Sequence, residues 1–188
     1  MTQAADIKTS IAAHLQSLGQ MSDHADTVAR IVDAIRSSLA AGGKVITCGN
    51  GGSAAEALHL SEEMIGRFSR DRAPLAALSL SADPTAMTCI ANDFGYEQVF
   101  ARQVRGLARA GDVLVALTTS GKSPNILRAL EAARELGVTT IGLLGAPGSP
   151  AETLCDIAFT PTAAHSAHVQ EMHLMVIHLI LEQLDSGV

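Results

Sequence analysis

Four side chains suited to proton transfer or metal binding fall in two predicted helices of this chain. His59 and Glu63 are four residues apart, so in a helix they lie on one face, one turn apart. Gln170 and His178 are eight residues apart in the last predicted helix, about 12 Å along its axis. A histidine and a carboxylate at helical spacing can bind a divalent metal or exchange a proton, although a solvated pair has the same spacing. We expect a site that uses all four residues to combine different helices and, in an assembly, different subunits.

The other histidines near the end of the chain and the cysteines are interpreted as structural residues. His165 and His168 lie near the start of the last predicted helix and His173 lies off the line of Gln170 and His178, so we expect surface or capping roles. The cysteines, at positions 48, 89 and 155, are too few and too scattered for a disulfide framework and form no CxxC zinc pattern. We expect small buried thiols in a reducing compartment.

A glycine-rich loop, Gly49–Ser53, follows the first predicted strand and precedes the helix that carries His59. Glycines allow the backbone to turn sharply and approach a ligand, and the free N–H groups at the start of the next helix favour an anion. Gly49, Gly51 and Ala54 match a relaxed dinucleotide-binding pattern, but the acidic residue expected about 20 positions later has no clear counterpart. The loop is interpreted as an anion site, with a simple tight turn as the alternative.

A second polar loop, Thr118–Pro124, connects another predicted strand to a helix. Its Gly121-Lys122-Ser123 run is similar to a nucleotide-binding P-loop, but that motif requires glycine where this chain has Ala116. Hydroxyl groups at a helix N-terminus instead suit a terminal phosphate monoester, which accepts many hydrogen bonds from neutral donors. Both loops are expected at the C-terminal ends of parallel strands, where open α/β sheets bind ligands. A polar cap without a ligand is the alternative.

Short apolar strands alternate with helices after two leading helical segments, at about 5–17 and 24–41. Short apolar runs with little polar alternation are typical of parallel strands covered on both faces, and their alternation with helices predicts a doubly wound, five-stranded parallel α/β sheet. The predicted strands are Lys44–Cys48, Leu75–Leu80, Val113–Leu117, Thr139–Leu144 and Ile157–Thr160, followed by a nearly apolar helix at about 166–185. No linker-like stretch divides the chain, so residues 1–188 are predicted to form one domain.

Predicted helix ends are marked by capping residues, prolines and glycines. A capping side chain precedes a proline at Asp83-Pro84, Ser123-Pro124 and Ser149-Pro150, where each proline suits a first helical turn. Glu152 would complete a capping box with Ser149. The pair Gly42-Gly43 suits the C-terminus of the second helix, which requires a left-handed residue.

The composition argues against several classes of partner. The chain has 13 Lys and Arg against 19 Asp and Glu, a net charge of −6, with no Trp, one Tyr and four Phe. Lysine-rich surfaces for duplexes and base-stacking surfaces for single strands are therefore not expected. The first residues lack the basic start and apolar core of a signal peptide, and the most apolar late stretch is too short to span a bilayer. We expect a cytoplasmic protein that binds neither nucleic acid nor membrane.

The motifs taken together resemble those of the phosphoheptose isomerase family, which belongs to the SIS (sugar isomerase) domain superfamily. The resemblance covers nearly the whole chain and rests on Gly49–Ser53 with His59 and Glu63, Asn92-Asp93-Phe94-Gly95, Thr119–Ser123, Gln170-Glu171-x-His173 and His178. It implies a SIS fold and a homotetramer with active sites between subunits. It also implies interconversion of D-sedoheptulose 7-phosphate and D-glycero-D-manno-heptose 7-phosphate, the first step of bacterial ADP-heptose synthesis for the lipopolysaccharide core.

The resemblance further implies roles for individual residues. Glu63 would be the general base and His178 its acid/base partner in a reaction through an enediol. One Zn²⁺ per subunit would be held by His59, Glu63, Gln170 and His178. The sugar phosphate would be bound by Asn50, Gly51, Gly52, Ser53, Glu63, Asn92, Asp93, Thr118, Thr119, Ser120, Ser123 and Gln170.

Two positions depart from the family pattern, and two other function classes stand as alternatives. Thr118 replaces a common serine but keeps the hydroxyl group, whereas Ala167 replaces a frequent aspartate and removes any substrate contact made by that carboxylate. One alternative is a non-catalytic SIS domain that binds the bacterial replication initiator. That relative lacks the acid/base residues, whereas Glu63, His178 and His59 are all present here. A nicotinamide-dependent dehydrogenase is supported only by the relaxed glycine pattern.

Overall fold

A five-stranded parallel sheet forms the centre of the computed structural model, which describes residues 2–145 and 147–186. The strands are β1 (Val45–Gly49), β2 (Ala77–Ser79), β3 (Val113–Thr118), β4 (Thr139–Leu144) and β5 (Ile157–Phe159). Their order across the sheet is β2-β1-β3-β4-β5, and each neighbouring pair is parallel. The direction of winding reverses between β1 and β3, so the loops that follow these two strands face each other across a crevice. The predicted fold class is confirmed.

Seven α-helices lie within the described residues, and they flank the sheet. They are α1 (Gln3–Leu18), α2 (Ala25–Ala40), α3 (Gly52–Ile65), α4 (Pro84–Phe94), α5 (Val99–Leu107), α6 (Pro124–Glu135) and α7 (Ser166–Ser186). A single 3₁₀ turn, Met21–His24, joins α1 to α2. The two leading helices and the long last helix therefore match the predicted segments to within about two residues.

Alternate residues of the central strands enter two apolar clusters, one on each face of the sheet. On one face Val45 and Val113 pack with the buried side chains of α2, α3 and α7. On the other face Ile46 and Leu114 pack with those of α5 and α6. Because both faces of the sheet are covered, every residue of β1 and β3 is buried. The sequences of these strands therefore show no alternation of apolar and polar residues.

The predicted helix ends are confirmed in part: α4 and α6 begin at the predicted prolines, but the Ser123 side chain makes no capping hydrogen bond. The Asp83 carboxylate accepts hydrogen bonds from the N–H groups of Thr85 and Ala86 at the start of α4. Gly42 follows α2 with a φ of +83°, in the left-handed region. The predicted capping box at Ser149 does not form, because the Glu152 carboxylate accepts from the N–H of Gly148 and the segment makes only a short 3₁₀ turn.

The first helix lies outside the core. No residue of α1 is buried, and the apolar side chains of Ile7, Ile11 and Leu15 are 52%, 53% and 64% exposed. Polar contacts hold its end against α7, because the Ser17 hydroxyl lies 3.2 Å from Nδ1 of His168. The three residues recur every four positions, so they form an apolar stripe along one face of α1.

Two expectations about the whole chain can be checked against the described residues. None of the helices in residues 2–145 and 147–186 is long and apolar enough to cross a membrane. Cys48, Cys89 and Cys155 are free thiols in the structure. Cys48 is buried as expected and Cys155 is half-buried, but Cys89 is exposed, so the expectation of a buried thiol is wrong at this position.

Candidate active site

Two helices bring His59 and His178 together. α3 carries His59 and Glu63, and α7 of the same chain carries His178. The Nε2 atoms of His59 and His178 are 3.1 Å apart, and their rings meet edge to face. A ring nitrogen of His59 and carboxylate oxygens of Glu62 and Glu63 lie within 4.8 Å of one another. These two histidines come from different helices of one chain, whereas a site that uses all four predicted residues stays a prediction.

The donor atoms around His59 suit a divalent transition metal. Two imidazole nitrogens bound to one tetrahedral zinc lie about 3.4 Å apart, because each Zn–N bond is about 2.0–2.1 Å long. The 3.1 Å between Nε2 of His59 and Nε2 of His178 is close to that separation. Oε1 of Glu62 lies 3.0 Å from Nδ1 of His59 and can accept a hydrogen bond from the Nδ1–H group. In that tautomer the lone pair of His59 is on Nε2, the nitrogen that faces His178.

A buried ion pair fixes the end of α3 against the end of α7. Nε of Arg72 donates to Oδ1 of Asp185 at 2.7 Å, and both side chains are almost fully buried. The Arg72 guanidinium also donates to the backbone carbonyl of Glu63 at 2.9 Å. Burial alone would raise the pKa of Asp185, but hydrogen bonds from Arg72 and Ser69 outweigh it and hold that pKa below its ordinary value. The pair therefore fixes the backbone at Glu63 relative to α7.

A polar cavity of about 100 Å³ lies where the two predicted phosphate loops meet α7. It is lined by Asn50, Ser53, Leu117, Thr118, Thr119, Ser120, Ser123 and Gln170. Oγ1 of Thr118 accepts from the N–H of Gly121, and Oγ of Ser120 accepts from the N–H of Lys122, both at 3.2 Å. Because these hydroxyl oxygens accept from the backbone, their O–H groups can donate to an anion in the cavity.

An amide pair joins the two loops. Asn50 donates to Oδ1 of Asn125 at 2.9 Å and accepts from Nδ2 of Asn125 at 2.8 Å. Oδ1 of Asn50 also accepts from the Tyr96 hydroxyl at 3.0 Å. Asn125 is almost fully buried at the start of α6, directly after the second loop. The side chain of Asn50 is therefore engaged in holding the two loops together.

Two glycines allow close packing at the cavity wall. A Cβ added to Gly52 would lie 2.1 Å from the side-chain amide of Gln170, so the absence of a side chain brings α7 against the first loop. A Cβ added to Gly145, at the end of β4, would lie 1.8 Å from the carbonyl oxygen of Thr119. The backbone of the second loop therefore occupies the space that any other residue at position 145 would need.

Comparisons with known proteins agree with this geometry. The sequence pattern of the SIS domain family matches residues 10–145. The chain is 49% identical over 144 residues to a phosphoheptose isomerase of a Nitratiruptor species, a match that covers 77% of each chain. It is 45% identical over 161 residues to that of Rhodospirillum rubrum, a match that covers 86% of each. This chain belongs to the phosphoheptose isomerase family. The solved phosphoheptose isomerase of Francisella tularensis, 32% identical, matches all of both chains with a TM-score of 0.95.

Membership of the phosphoheptose isomerase family accounts for the glycine pattern of the first loop. Gly49, Gly51 and Ala54 belong to the SIS domain match, so the pattern gives no support to a dinucleotide-binding dehydrogenase. Gly51 has a φ of +56° and lies at the turn before α3. Its left-handed backbone starts the helix that carries His59 and Glu63.

The structure gathers most, but not all, of the residues that the family resemblance implied. Gln170 lines the cavity and contacts Gly52, at the loop end of α7, about two turns before His178. Asn92 and Asp93 lie exposed near the end of α4 and do not line the cavity. Nδ2 of Asn92 donates to Oδ1 of Asp93 at 2.8 Å. The substrate contacts of Asn92 and Asp93, and metal binding by Gln170, stay predictions for this family member.

Several residues of this family member were missed or misjudged from the sequence. The buried partners Asn125, Arg72 and Asp185 gave no local pattern, although an aspartate in the apolar last helix is an unusual residue. His168 and His173 were expected at the surface or in caps, and both are buried, His173 completely. That expectation is wrong because α7 packs against the sheet and α1 along these positions; His165 alone of the three is exposed.

Proposed function

We propose that this protein converts D-sedoheptulose 7-phosphate to D-glycero-D-manno-heptose 7-phosphate, the first step of bacterial ADP-heptose synthesis for the lipopolysaccharide core. Family membership makes it an aldose–ketose isomerase of sugar-phosphate metabolism. The observation that carries the proposal is the 3.1 Å contact between His59 on α3 and His178 on α7. Glu63 lies in the same acidic group as His59, and the hydroxyl-lined cavity lies at the loop ends of these two helices. A phosphate in that cavity would leave the rest of the sugar chain to extend along these two helices.

The reaction needs one base at carbon and one acid/base group at oxygen. An aldose–ketose exchange moves a proton between C1 and C2 through an enediol. We assign the carbon-bound proton to the carboxylate of Glu63 and the proton on the two oxygens to the imidazole of His178. The Arg72 contact to the Glu63 carbonyl fixes the backbone from which the carboxylate extends, and correct positioning of the base is what efficient proton transfer requires.

The metal in the proposal is one Zn²⁺ per subunit. Its predicted ligands are His59, Glu63, Gln170 and His178, and the 3.1 Å between the two imidazole nitrogens favours the histidines most directly. When bound, zinc supplies positive charge that stabilises negative charge on the substrate oxygens. Glu63 can serve as base in such a site only if one of its carboxylate oxygens stays free. Activity measured after EDTA treatment and after adding back Zn²⁺ tests this part of the proposal.

The second loop is proposed to bind the terminal phosphate of the substrate. Replacing Ser120 by alanine removes a hydroxyl group that can donate to the cavity, together with the hydrogen bond that this hydroxyl accepts from the N–H of Lys122. Since a hydrogen bond to a charged group contributes about 1.5–3 kcal/mol, KM should rise about 10-fold or more with little change in kcat. Steady-state kinetics on sedoheptulose 7-phosphate measure both constants. Ser186→Ala, an exposed serine at the far end of α7, is the control, and an unchanged KM for Ser120→Ala would contradict the assignment.

The proposal includes a homotetramer with active sites between subunits, formed from single-domain chains of residues 1–188 in the cytoplasm. The exposed stripe of Ile7, Ile11 and Leu15 on α1 supports association, because a contiguous apolar surface is a common mark of a protein–protein interface. An apolar groove of about 480 Å³ between α2 and α7 is a second uncovered surface. Sedimentation equilibrium at several protein concentrations gives the oligomeric state, and a stable monomer would contradict this part.

An isomerisation assay tests the proposed function as a whole. Purified protein with Zn²⁺ should form the aldose phosphate from sedoheptulose 7-phosphate, with solvent deuterium incorporated at the carbon that receives the proton. No turnover with or without Zn²⁺ would overturn the proposal and would favour the alternative, a non-catalytic SIS domain that binds the replication initiator. The curated relatives reported above are named as isomerases, so nothing in these comparisons favours that alternative.

A further inference from the structure

Two buried polar atoms face each other between α3 and α7 without a hydrogen-bond partner among the described residues. They are Oε2 of Glu56 and Nδ1 of His173, and they lie 3.9 Å apart. The Glu56 side chain is 11% exposed and the His173 side chain is fully buried. Buried polar atoms are nearly always hydrogen-bonded, so two such atoms at this separation point to a hydrogen bond between them.

The backbone around His173 determines which ring nitrogen carries the proton. Nε2 of His173 lies 2.9 Å from the carbonyl oxygen of Leu144 at the end of β4. A carbonyl oxygen can only accept a hydrogen bond, so Nε2 must be the donor. In a neutral imidazole the other nitrogen then has a free lone pair and needs a donor. Nδ1 of His173 therefore requires a proton-bearing neighbour, and Glu56 is the side chain that faces it.

The surroundings keep both groups uncharged near neutral pH. Burial lowers the pKa of His173 to about 4, although its hydrogen bond to Leu144 opposes the shift. Burial raises the pKa of Glu56 to about 8. Within residues 2–145 and 147–186, His173 is the one basic group within 4.0 Å of the Glu56 carboxyl. A protonated carboxyl group carries an O–H donor, which is what Nδ1 of His173 lacks.

We propose that Glu56 is a neutral carboxylic acid that donates a hydrogen bond to Nδ1 of His173, and that this link positions α3 against α7. The inference rests on the proposed isomerase function for its catalytic consequence. Closing the distance from 3.9 Å to a hydrogen bond of about 2.8 Å takes a shift of about 1 Å in a flexible glutamate side chain. Glu56 and His173 are positioning residues, since neither lines the cavity.

The location of the link explains why it would affect the reaction. Glu56 lies one turn before His59 on α3, and His173 lies between Gln170 and His178 on α7. His173 also contacts Leu144, whose neighbour Gly145 packs on the second loop. The link therefore joins three parts of the site at one point, and a small error in their alignment lowers the rate steeply.

Two substitutions at Glu56 separate a positioning role from a purely structural one. Glutamine keeps the shape and a neutral N–H donor, so Glu56→Gln should retain kcat within about threefold of wild type, because a neutral donor still faces Nδ1. Methionine fills the same space without a donor, so Glu56→Met should lower kcat about 10–100-fold while KM changes little. Because methionine leaves the buried Nδ1 of His173 without a donor, Glu56→Met should also unfold at a lower temperature, so kcat is compared on protein that circular dichroism shows to be folded. Wild-type kcat in Glu56→Met would overturn the positioning role, and a large loss in Glu56→Gln would show a charged pair instead.

The pH dependence of stability gives a second test with a definite sign. A carboxyl whose pKa rises from about 4.3 in the unfolded chain to about 8 in the folded one binds its proton more tightly when folded. Its contribution to stability therefore falls as the pH rises toward 8. His173, with a lowered pKa, acts in the opposite direction only below about pH 6.5. The unfolding temperature of Glu56→Gln minus that of wild type should therefore increase from pH 6.5 to pH 8, and a constant difference would contradict a neutral Glu56.

A direct measurement separates this inference from the proposed function. Infrared spectra of wild type minus Glu56→Gln at pH 6.5 should show the carbonyl band of a protonated carboxylic acid. ¹⁵N NMR of histidine-labelled protein should show His173 as the neutral tautomer with its proton on Nε2. Neither readout needs substrate, so both stand even if the isomerisation assay fails. Absence of the carboxylic acid band would overturn the inference whatever the activity.

Discussion

Replacing Glu63 by glutamine is expected to lower kcat by about 10²–10⁴-fold, the loss typical of a missing general base. Glutamine preserves the size of the side chain but cannot take up the carbon-bound proton. Arg72 holds the backbone carbonyl of Glu63 and not its carboxylate, so the end of α3 should keep its position in the variant. The measurements are the rate of aldose formation and the rate of solvent deuterium incorporation, and both should fall together.

A matched exposed glutamate controls for the loss of a negative charge. Glu182 lies exposed on α7, and Glu182→Gln should keep kcat within about twofold of wild type because its side chain faces solvent. Circular dichroism and thermal unfolding of the Glu63 variant should match wild type. A Glu63→Gln protein that turns over near the wild-type rate would show that the base is another residue.

Replacing His178 by glutamine is expected to lower kcat by a similar factor, about 10²–10⁴-fold. Glutamine can still donate a hydrogen bond, but it cannot alternate between donor and acceptor as the oxygens gain and lose protons. The His178 ring is stacked on Phe68 and lies next to His59, so the substitution also removes a contact that orients the pair. Steady-state kinetics should show the loss in kcat more than in KM. His165→Gln, an exposed histidine before the start of α7, should behave as wild type.

The double variant tests whether the two groups act in one proton-transfer cycle. Residues that act as a unit give strongly non-additive losses, so Glu63→Gln with His178→Gln should lose much less than the product of the two single effects. Near-wild-type turnover in both single variants would show that the assignment of acid/base roles is wrong. Fully multiplicative losses would show that the two side chains contribute independently.

The strands could be predicted from the sequence because burial on both faces leaves a direct signature. Val45 and Ile46 point to opposite clusters, yet both are buried, so the run contains no polar alternation. The helix predicted after Ser149 failed because tertiary packing overrides a local capping pattern there. Ser149 lies against Gly121, where an added Cβ would be 2.2 Å from its hydroxyl oxygen. The segment is held by the second loop and does not extend as a helix.

The candidate site could be predicted only where its residues are close in the sequence or belong to a known motif. The two loops and the His59–Glu63 spacing are of this kind; the structure brings the two loops together at one cavity and places Glu63 close to His59. The links that hold the parts together join residues far apart in the chain. Asn50 and Asn125 are 75 residues apart, and Arg72 and Asp185 are 113 apart. A single sequence carries no signal of such pairing, because each partner alone looks like an ordinary polar residue.

The contact between Gly145 and the carbonyl of Thr119 has a consequence for attempts to change the sugar that the enzyme accepts. Even Gly145→Ala would force the second loop to move, since the overlapping atom is backbone and cannot rotate away. In a saturation library, only glycine should survive selection at position 145, whereas the exposed Gly106, with open space around it, should accept most residues. Engineering of the second loop is therefore restricted by Gly145, which does not line the cavity. A redesigned loop would first need the end of β4 to be moved away from Thr119.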